Sequence, residues 1–333
     1  MRLAPRPFFI ALILLVFVSA ACVFAAQPPA APPSPAPTSV PATLTPTLTA
    51  EPAATGTTAP EPTQTPEPTV TSGPTPTLAP DAWKSLPVIP TALSEKVYKI
   101  YDLGKLMGNN PQAFSKVGDC HSVMPYFLGG IELYPDRIKL GEYGYLQATL
   151  EYYAGSFGRE SLATKDGLSA RASTAPLWND WRVCEANEAP LACEYRLHKP
   201  IMAIISFGTN DAMGSMDFEN SMRRVIENTI GNGVIPILST KPDDAEGGHK
   251  FNQIIAQLAY EYELPLWNFW AVVQPLPEHG MMSRDHLSYS EILPMVDFET
   301  PGSLDYGWTM RNLLALQLLD AMRTMLLEYE AGE

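Results

Sequence analysis

The segment IMAIISFGTND, residues 201–211, decides the fold of this chain. Its first part, 201–207, is an almost continuous apolar run, which is typical of a β-strand buried on both faces of a sheet. Such strands occur in parallel sheets that are covered by helices on both sides. The polar residues that follow lie where a parallel strand of this kind would end. The segment therefore predicts an α/β protein with polar groups at one edge of its sheet.

Strand and helix patterns alternate on both sides of this segment. Short strands are predicted at 114–117, 234–238 and 264–270, and helices at 217–230, 249–262 and 307–330. Strands that alternate with helices pair in parallel, and the helices cover both faces of the sheet. We therefore predict a doubly wound α/β sandwich.

Proline is concentrated in one tract near the N-terminus. The chain has 333 residues and 33 Pro, and about half of the Pro lie at 27–81 among Thr, Ala and Ser. This composition cannot bury enough apolar surface to offset the entropy of ordering, so we predict a disordered Pro/Thr-rich linker at 27–82. The remaining residues, 83–333, are sufficient for one large domain with its own core.

Residues 1–26 have the layout of an export signal, with basic Arg2 and Arg6 before an apolar run at 8–26. Cleavage at the end of the run would release the protein, and an uncleaved run would form one membrane span. Lipidation is a third outcome, since Cys22 lies in a stretch similar to a bacterial lipobox. Each outcome places the domain outside the cytoplasm, at the cell surface or secreted, with membrane contact through this segment only.

The charge balance excludes several classes of function. The formal net charge is −14, so the domain has no surface that would neutralise nucleic-acid phosphates. The sequence has no Cys/His pairs at zinc spacing, no P-loop and no dinucleotide fingerprint. We expect a monomer that uses no cofactor and no metal.

Three of the predicted strand ends are followed by residues that could carry out chemistry. Cys120 follows the first strand, Asn210 follows the strand at 201–207, and His286 follows the last strand after a loop. In parallel sheets, ligands bind at the carboxyl ends of the strands. A thiol nucleophile with a pKa lowered by a helix N-terminus, an amide that donates to an oxyanion and an imidazole base would together serve acyl transfer.

The blocks Gly118-Asp119-Cys120, Gly208-Thr209-Asn210-Asp211 and His286-Leu287 resemble, in this order, the first, third and fifth blocks of the SGNH/GDSL hydrolases. The resemblance covers about 114–319. It implies a flavodoxin-like three-layer α/β/α sandwich with a mostly parallel sheet, and an SGNH hydrolase-like domain at 83–333 that hydrolyses esters. Asn210 then corresponds to an oxyanion-hole donor and His286 to the catalytic base.

The sequence departs from the family pattern at three positions. Cys120 stands where the family has its nucleophilic Ser, and Ala170 stands where the second block often has a Gly that donates a backbone N–H. The family has Asp three residues before the His, but this chain has Ser283 there and Asp285 directly before His286. A thiol depends less on its base than a hydroxyl does, so these changes are compatible with activity. The partner of His286, Asp285 or Ser283, stays open.

Several residues near these blocks have competing interpretations. Cys184 and Cys193 are expected to form a disulfide in an oxidising compartment, which leaves Cys120 unpaired, as a reactive group or as an ordinary buried thiol. Ser122 is a rival nucleophile. His121 is expected to be a solvated side chain, with a place at the mouth of the site as the alternative.

The sequence favours an exported, surface-tethered esterase that acts on acyl or acetyl esters of small molecules or envelope polysaccharides through an acyl-enzyme at Cys120. Acyl transfer between envelope polymers would use the same residues. The alternative is a catalytically inactive SGNH-fold binding module that is displayed on a stalk.

Overall fold

The computed structural model describes residues 77–214 and 217–332. The predicted signal or anchor at 1–26 lies outside these residues, as does the linker predicted at 27–82 except for its last residues. These last residues contact the domain, since the Leu78 N–H donates to Gln257 Oε1 at 2.8 Å. No helix within the described ranges combines the length and the apolar character that a membrane span needs.

A parallel sheet forms the centre of the domain. Its four strands lie in chain order and are β1 (Asn110–Gly118), β2 (Pro200–Ser206), β3 (Ile235–Ser239) and β4 (Leu266–Trp267). Neighbouring strands are parallel throughout, with Gly118 beside Ser206 and Ile205 beside Leu238. Every residue of β2 is buried, as its apolar run predicts.

A short segment extends the sheet beyond β1. Thr164 forms an isolated parallel bridge with Gly118, because the Gly118 N–H donates to Ala163 O and the Lys165 N–H donates to Gly118 O. With this segment as the second strand in the chain, the spatial order becomes 2-1-3-4-5. That is the flavodoxin-like order, and its direction reverses at β1. The reversal creates a crevice at the carboxyl ends of β1 and β2.

Helices cover both faces of the sheet. The α-helices are α1 (Glu95–Leu106), α2 (Gly130–Leu133), α3 (Gln147–Tyr152), α4 (Ala170–Ser173), α5 (Pro190–His198), α6 (Phe218–Gly231), α7 (Lys250–Tyr262), α8 (Phe269–Val273) and α9 (Gly307–Gly332). Short 3-10 helices lie at Ala82–Ser85, Cys120–Ser122, Pro135–Arg137, Gly141–Leu146, Pro176–Trp178, Asp211–Met213, Pro277–Gly280 and Ser303–Asp305.

The direction of the crossovers explains how the helices are distributed. The connections that contain α5, α6 and α7 all advance the sheet in the same direction, so right-handed crossovers place these helices on one face. On the other face α1 and α9 pack together, with Tyr98 stacked on Tyr329 at 4.3 Å between ring centroids. The predicted three-layer α/β/α sandwich is confirmed.

The strand predicted at 264–270 is too long at both ends. Only Leu266–Trp267 is a strand, and α8 follows it directly. Asn268 breaks the strand, because its amide donates to Trp83 O at 2.9 Å. The Thr240 hydroxyl then accepts the N–H of Trp270 at 2.9 Å and satisfies one of the first amides of the helix.

Candidate active site

Cys120 lies at the reversal point of the sheet, immediately after β1. The predicted disulfide between Cys184 and Cys193 is formed, which leaves Cys120 as a free, half-buried thiol among the described residues. The turn that carries it packs tightly, because a side chain at Gly118 would collide with the Ser206 carbonyl and the Ser122 hydroxyl. Ser122 is buried beneath this turn and is 1% exposed, so Cys120 is the accessible nucleophile of the two.

The environment of Cys120 raises its thiol pKa. Burial is the main cause, and the charges of Asp119, Asp166, Asp243 and Asp285 add to it. The predicted lowering of this pKa by a helix N-terminus is wrong, because Cys120–Ser122 is a single 3-10 turn rather than the start of a long helix. The thiol is therefore protonated at neutral pH, and its nucleophilic use requires a base.

Asp119 joins the first turn to the turn after β2. Its carboxylate accepts backbone N–H groups from His121 at 3.2 Å, from Thr209 at 3.1 Å and from Asn210 at 3.5 Å. Burial raises the pKa of Asp119 to about 7. Cys120 and Asn210 are ninety residues apart in the chain, and this carboxylate fixes their relative positions.

Asn210 carries an amide donor without a partner. Its Nδ2 atom is shielded from solvent and makes no hydrogen bond to any described residue. An unpaired buried donor costs about 1–3 kcal/mol, so such groups in a folded protein call for an explanation. At the carboxyl end of β2, this donor is available to a ligand.

The predicted donor role of Ala170 is not supported by the geometry. The Ala170 N–H points at Asp211, with both carboxylate oxygens at 3.2 Å. A backbone N–H that is already paired with a carboxylate cannot also bind a developing oxyanion without losing that bond. The contact instead ties the start of α4 to the turn after β2, so Asp211 is a structural residue like Asp119.

His286 lies on a loop with an aspartate as its partner. Its Nδ1 atom is 2.8 Å from Asp285 Oδ1, whereas Ser283 Oγ lies at 3.3 Å and donates to the same carboxylate at 3.1 Å. The hydrogen bond with His286 lowers the pKa of Asp285. Asp285 therefore accepts the Nδ1 proton, and the lone pair of His286 lies on Nε2.

The His286 loop faces the same end of the sheet as Cys120. The charge of Asp285 contributes to the raised pKa of Cys120, and the charge of His286 contributes to the lowered pKa of His121. The loop is anchored by Arg284, which donates to Ala245 O at 2.5 Å in the connection after β3. The His286 loop thus lies near Cys120 and His121, but among the described residues no hydrogen bond joins the Cys120 thiol to His286, and Cys120 Sγ contacts Asp119 Oδ1 at 4.0 Å instead.

His121 is buried, so the prediction of a solvated side chain is wrong. Burial lowers its pKa to about 3, and the ring is neutral. Thr209 Oγ1 donates its proton to Asp243 at 2.7 Å, so at 3.4 Å from His121 Nδ1 it can only accept. The ring proton is therefore on Nδ1.

Sequence reasoning missed the charged residues behind this histidine. Asp243 is paired with Lys241 at 2.5 Å, and the Lys241 ammonium keeps the pKa of Asp243 low although burial opposes this. Lys241 is itself 1% exposed and also pairs with Glu246 at 2.5 Å. Lys241 and Asp243 follow β3 directly, and the carboxyl end of a central parallel strand is itself a signal for functional residues.

Arg311 was also missed. It is fully buried in α9, where its Nε donates to His121 O and its Nη2 to Ser206 Oγ, both at 3.0 Å. Three aromatic rings surround the guanidinium at 4.6–4.8 Å, those of Phe127, Trp267 and Phe269. Burial lowers the Arg311 pKa to about 9, so it remains charged at neutral pH. The sequence signal for this residue is a charged side chain among the apolar, buried positions of the last helix.

Asp119, Cys120 and His121 are also the best candidate ligands for a metal near the site. One ligand atom from each lies within 4.8 Å of the others. The Asp119 carboxylate, however, already accepts three backbone N–H groups, and metal binding would have to break this clamp. The donor set therefore fits a structural turn better than a metal site.

No protein-family model and no curated protein matches the chain. Similar solved structures include a GDSL-like lipase from Bacteroides thetaiotaomicron, which is 14% identical and covers 67% of this chain and 97% of that chain, with a TM-score of 0.37. Two catalytic mutants of an acetylxylan esterase from Geobacillus stearothermophilus are 15% identical and cover 62% of this chain and 93% of their own, with TM-scores of 0.37 and 0.36. Structural similarity at such low sequence identity and TM-score does not establish a family or an activity for this chain.

Proposed function

We propose that the protein is an esterase that cleaves acyl or acetyl esters through a thioester at Cys120. The observation that carries this proposal is the unpartnered Asn210 Nδ2, which is shielded from solvent at the same sheet edge as a free thiol. A developing oxyanion would satisfy this donor, and the gain would arise in the transition state.

His286 activates the thiol in this mechanism. Because the Cys120 pKa is raised, the enzyme has no preformed thiolate. His286 Nε2 takes the thiol proton as sulfur attacks the ester carbonyl, and Asp285 stabilises the resulting imidazolium through Nδ1–H. The carbonyl oxygen becomes an oxyanion and accepts the Nδ2–H of Asn210.

The intermediate then collapses with loss of the alcohol. The C–O bond breaks, and His286 returns the proton to the leaving oxygen, which leaves an acyl-thioester on Cys120. His286 next removes a proton from water, the hydroxide attacks the thioester, and the sulfur leaves and is reprotonated. The products are one alcohol and one carboxylic acid, and the site returns to its starting state.

Hydrolysis of p-nitrophenyl acetate by substituted full-length proteins tests the proposal. Cys120→Ala should abolish turnover, whereas Cys120→Ser should retain measurable turnover because His286 can also activate a hydroxyl. Ser122→Ala, which removes a buried hydroxyl next to the same turn, is the matched control and should stay active. Full activity in Cys120→Ala would reject the thioester mechanism.

The raised thiol pKa favours one alternative function, a binding module without turnover. A buried, protonated thiol is what an inert site would contain. The two functions differ in a pre-steady-state experiment with excess substrate, since an esterase whose thioester hydrolyses slowly releases p-nitrophenol in a burst equal to the Cys120 content. A binding module releases none at any pH.

The proposal includes export and a surface tether, which are supported by residues 1–26 and by the Pro/Thr-rich tract at 27–82. A tethered protein would remain with the membrane fraction of intact cells and would be cut by externally added protease. Recovery of the chain only in the cytoplasmic fraction would contradict this part of the proposal.

A further inference from the structure

An exposed apolar patch lies on the segment that precedes α5. Its side chains are those of Leu177, Trp178, Trp181 and Val183, which are 91%, 40%, 82% and 50% exposed. Leu177 and Trp181 line one shallow groove, so they lie side by side on the surface. Soluble domains rarely expose several large apolar side chains together, and such patches mark contact sites. We call these four residues the Trp181 patch.

A disulfide and two hydrogen bonds hold the patch in a fixed loop. The bond between Cys184 and Cys193 joins the segment to α5. The Asn179 side chain donates to Glu185 O at 3.3 Å and to Glu188 O at 2.9 Å, which ties the two ends of the segment together. The exposed side chains are therefore already in position, and little chain entropy is lost when they bind a partner.

The charged side chains of this loop are paired with neighbouring charges. Asp180 accepts Nε and Nη2 of Arg182 at 2.8 Å and 2.7 Å. Glu188 accepts Nε and Nη2 of Arg196 at 2.7 Å each, and Glu185 Oε1 lies 3.6 Å from the same Nε. Pairing reduces the cost of bringing a charge close to an apolar medium. The loop can therefore approach an apolar surface with its own charges balanced.

The patch lies towards the same end of the sheet as Cys120. Lys165 Nζ is 5.6 Å from the centroid of the Trp178 ring. The backbone N–H of Lys165 donates to Gly118 O, two residues before Cys120 in the chain. A partner that covers the patch would therefore lie close to the candidate active site.

We propose that the Trp181 patch docks the domain onto the surface of a lipid bilayer. Tryptophan favours the boundary between lipid headgroups and hydrocarbon, because its ring is apolar and its N–H is polar. Leu177 and Val183 supply apolar groups that the hydrocarbon accepts, as at other interfacial contacts.

The chain outside the described residues favours a bilayer over a partner protein. An anchor at 1–26 would keep the domain at a membrane, and the tract at 27–82 would allow the domain to return to it. Tethering makes docking intramolecular and raises the effective concentration, so a patch of four side chains is sufficient. This step rests on the surface tether that is part of the proposed function.

Fluorescence quenching by brominated lipid tests the docking. The full chain is reconstituted in phosphatidylcholine vesicles with and without bromine on the acyl chains, because bromine quenches tryptophans that reach the bilayer. All six Trp lie between residues 83 and 308, so the anchor and the tract contribute no signal. We expect quenching in brominated vesicles, and Trp181→Phe should reduce the quenched emission by roughly half or more, because it removes the more exposed of the two Trp in the patch.

Leu177→Lys and Leu106→Lys form a matched pair. Leu177 is 91% exposed in the patch, and Leu106 is 87% exposed at the end of α1. Leu177→Lys places a charge in the patch and should remove most of the quenching, whereas Leu106→Lys adds the same charge elsewhere and should leave the quenching unchanged. Thermal melting checks that each variant is folded. Equal quenching in the two variants, or unchanged quenching in Trp181→Phe, would overturn the proposal.

Flotation of the vesicles in a density gradient separates failure of the docking from failure of the tether. A chain that floats without being quenched would keep the tether and overturn the docking. Flotation and quenching that are both lost in Leu177→Lys would keep the docking and reject the tether, because the patch would then carry all of the membrane binding. A chain that does not float would contradict both.

A second copy of the chain is the competing occupant of the patch. Light scattering of the full chain in detergent gives the mass of the protein without the bilayer. A mass of two chains that falls to one chain in Leu177→Lys, together with no quenching, would show that a second copy covers the patch and would overturn the docking.

Discussion

Two buried polar clusters along β1 differ in how completely their groups are paired. In the middle of the strand, the Glu194 carboxylate accepts Ser115 Oγ at 2.6 Å, Arg159 at 2.5 Å and the Leu162 N–H at 2.9 Å. We call this the Glu194 cluster. At the carboxyl end of β1, shielded atoms of His121 (Nε2) and Asn210 (Nδ2) have no partner among the described residues. We call this second region the Cys120 turns.

The difference lies in how far the protein's own groups satisfy each cluster. A buried network with every member paired stabilises one arrangement of the chain. Unpaired buried groups reduce stability by about 1–3 kcal/mol each. They also occur away from the site, at Tyr153 Oη and Ser303 Oγ, so it is the position of Asn210 Nδ2 at a strand end that points to a ligand. The Glu194 cluster therefore holds α5 against β1, whereas the Cys120 turns retain an unpaired donor at the edge of the sheet.

The largest expected effect is on stability at the Glu194 cluster. Glu194→Ala removes the carboxylate that is paired with Arg159 and should lower the free energy of unfolding by about 3–5 kcal/mol. Urea unfolding measures this value. Glu185→Ala, at a carboxylate that is 72% exposed, is the control and should change stability by less than about 0.5 kcal/mol. Equal effects of the two substitutions would remove the distinction between the clusters.

At Asn210 we expect a large effect on catalysis and a small effect on stability. Asn210→Ala should lower kcat for ester hydrolysis by about 10²–10³-fold, because the oxyanion loses its donor. Its free energy of unfolding should change by less than about 1 kcal/mol, since Nδ2 has no partner to lose. Steady-state kinetics and urea unfolding on the same preparation separate the effects. A destabilised variant with normal kcat would show that Asn210 is structural.

The partner of His286 is expected to have a smaller effect. Asp285→Asn removes the charge that stabilises the imidazolium and should reduce kcat by roughly 10–100-fold. Ser283→Ala removes only a neutral hydrogen bond to this pair and should reduce kcat by roughly 2–10-fold. A larger loss in Ser283→Ala than in Asp285→Asn would reverse this assignment.

The pH dependence of thiol alkylation should show how burial acts on the Cys120 turns. Because the Cys120 pKa is raised, the thiolate fraction in the folded protein should rise about tenfold per pH unit from pH 7 to 9. Iodoacetamide labelling followed by mass spectrometry gives the rate, and labelling in urea provides the unfolded reference. Labelling at pH 6 to 7 that is faster in the folded than in the unfolded protein would contradict the raised pKa.

Local patterns in the sequence predicted most of the architecture. The apolar run at 201–207 predicted β2, and helical periodicity predicted α6, α7 and α9 within a few residues of their observed bounds. Cysteine placement predicted the disulfide between Cys184 and Cys193. These features depend on residues that are close in the chain, so hydrophobic periodicity and spacing are sufficient to find them.

Contacts between distant residues decided the state of the site. The Ala170 N–H is taken by Asp211, the Cys120 pKa is raised rather than lowered, and Arg311 lies beneath the first turn. The sequence by itself determined that a thiol and an amide follow two of the strands and that an imidazole lies in a later loop. Only the tertiary structure decided which of these groups are paired, charged or free, because burial and hydrogen-bond partners are set by packing between segments that are far apart in the chain.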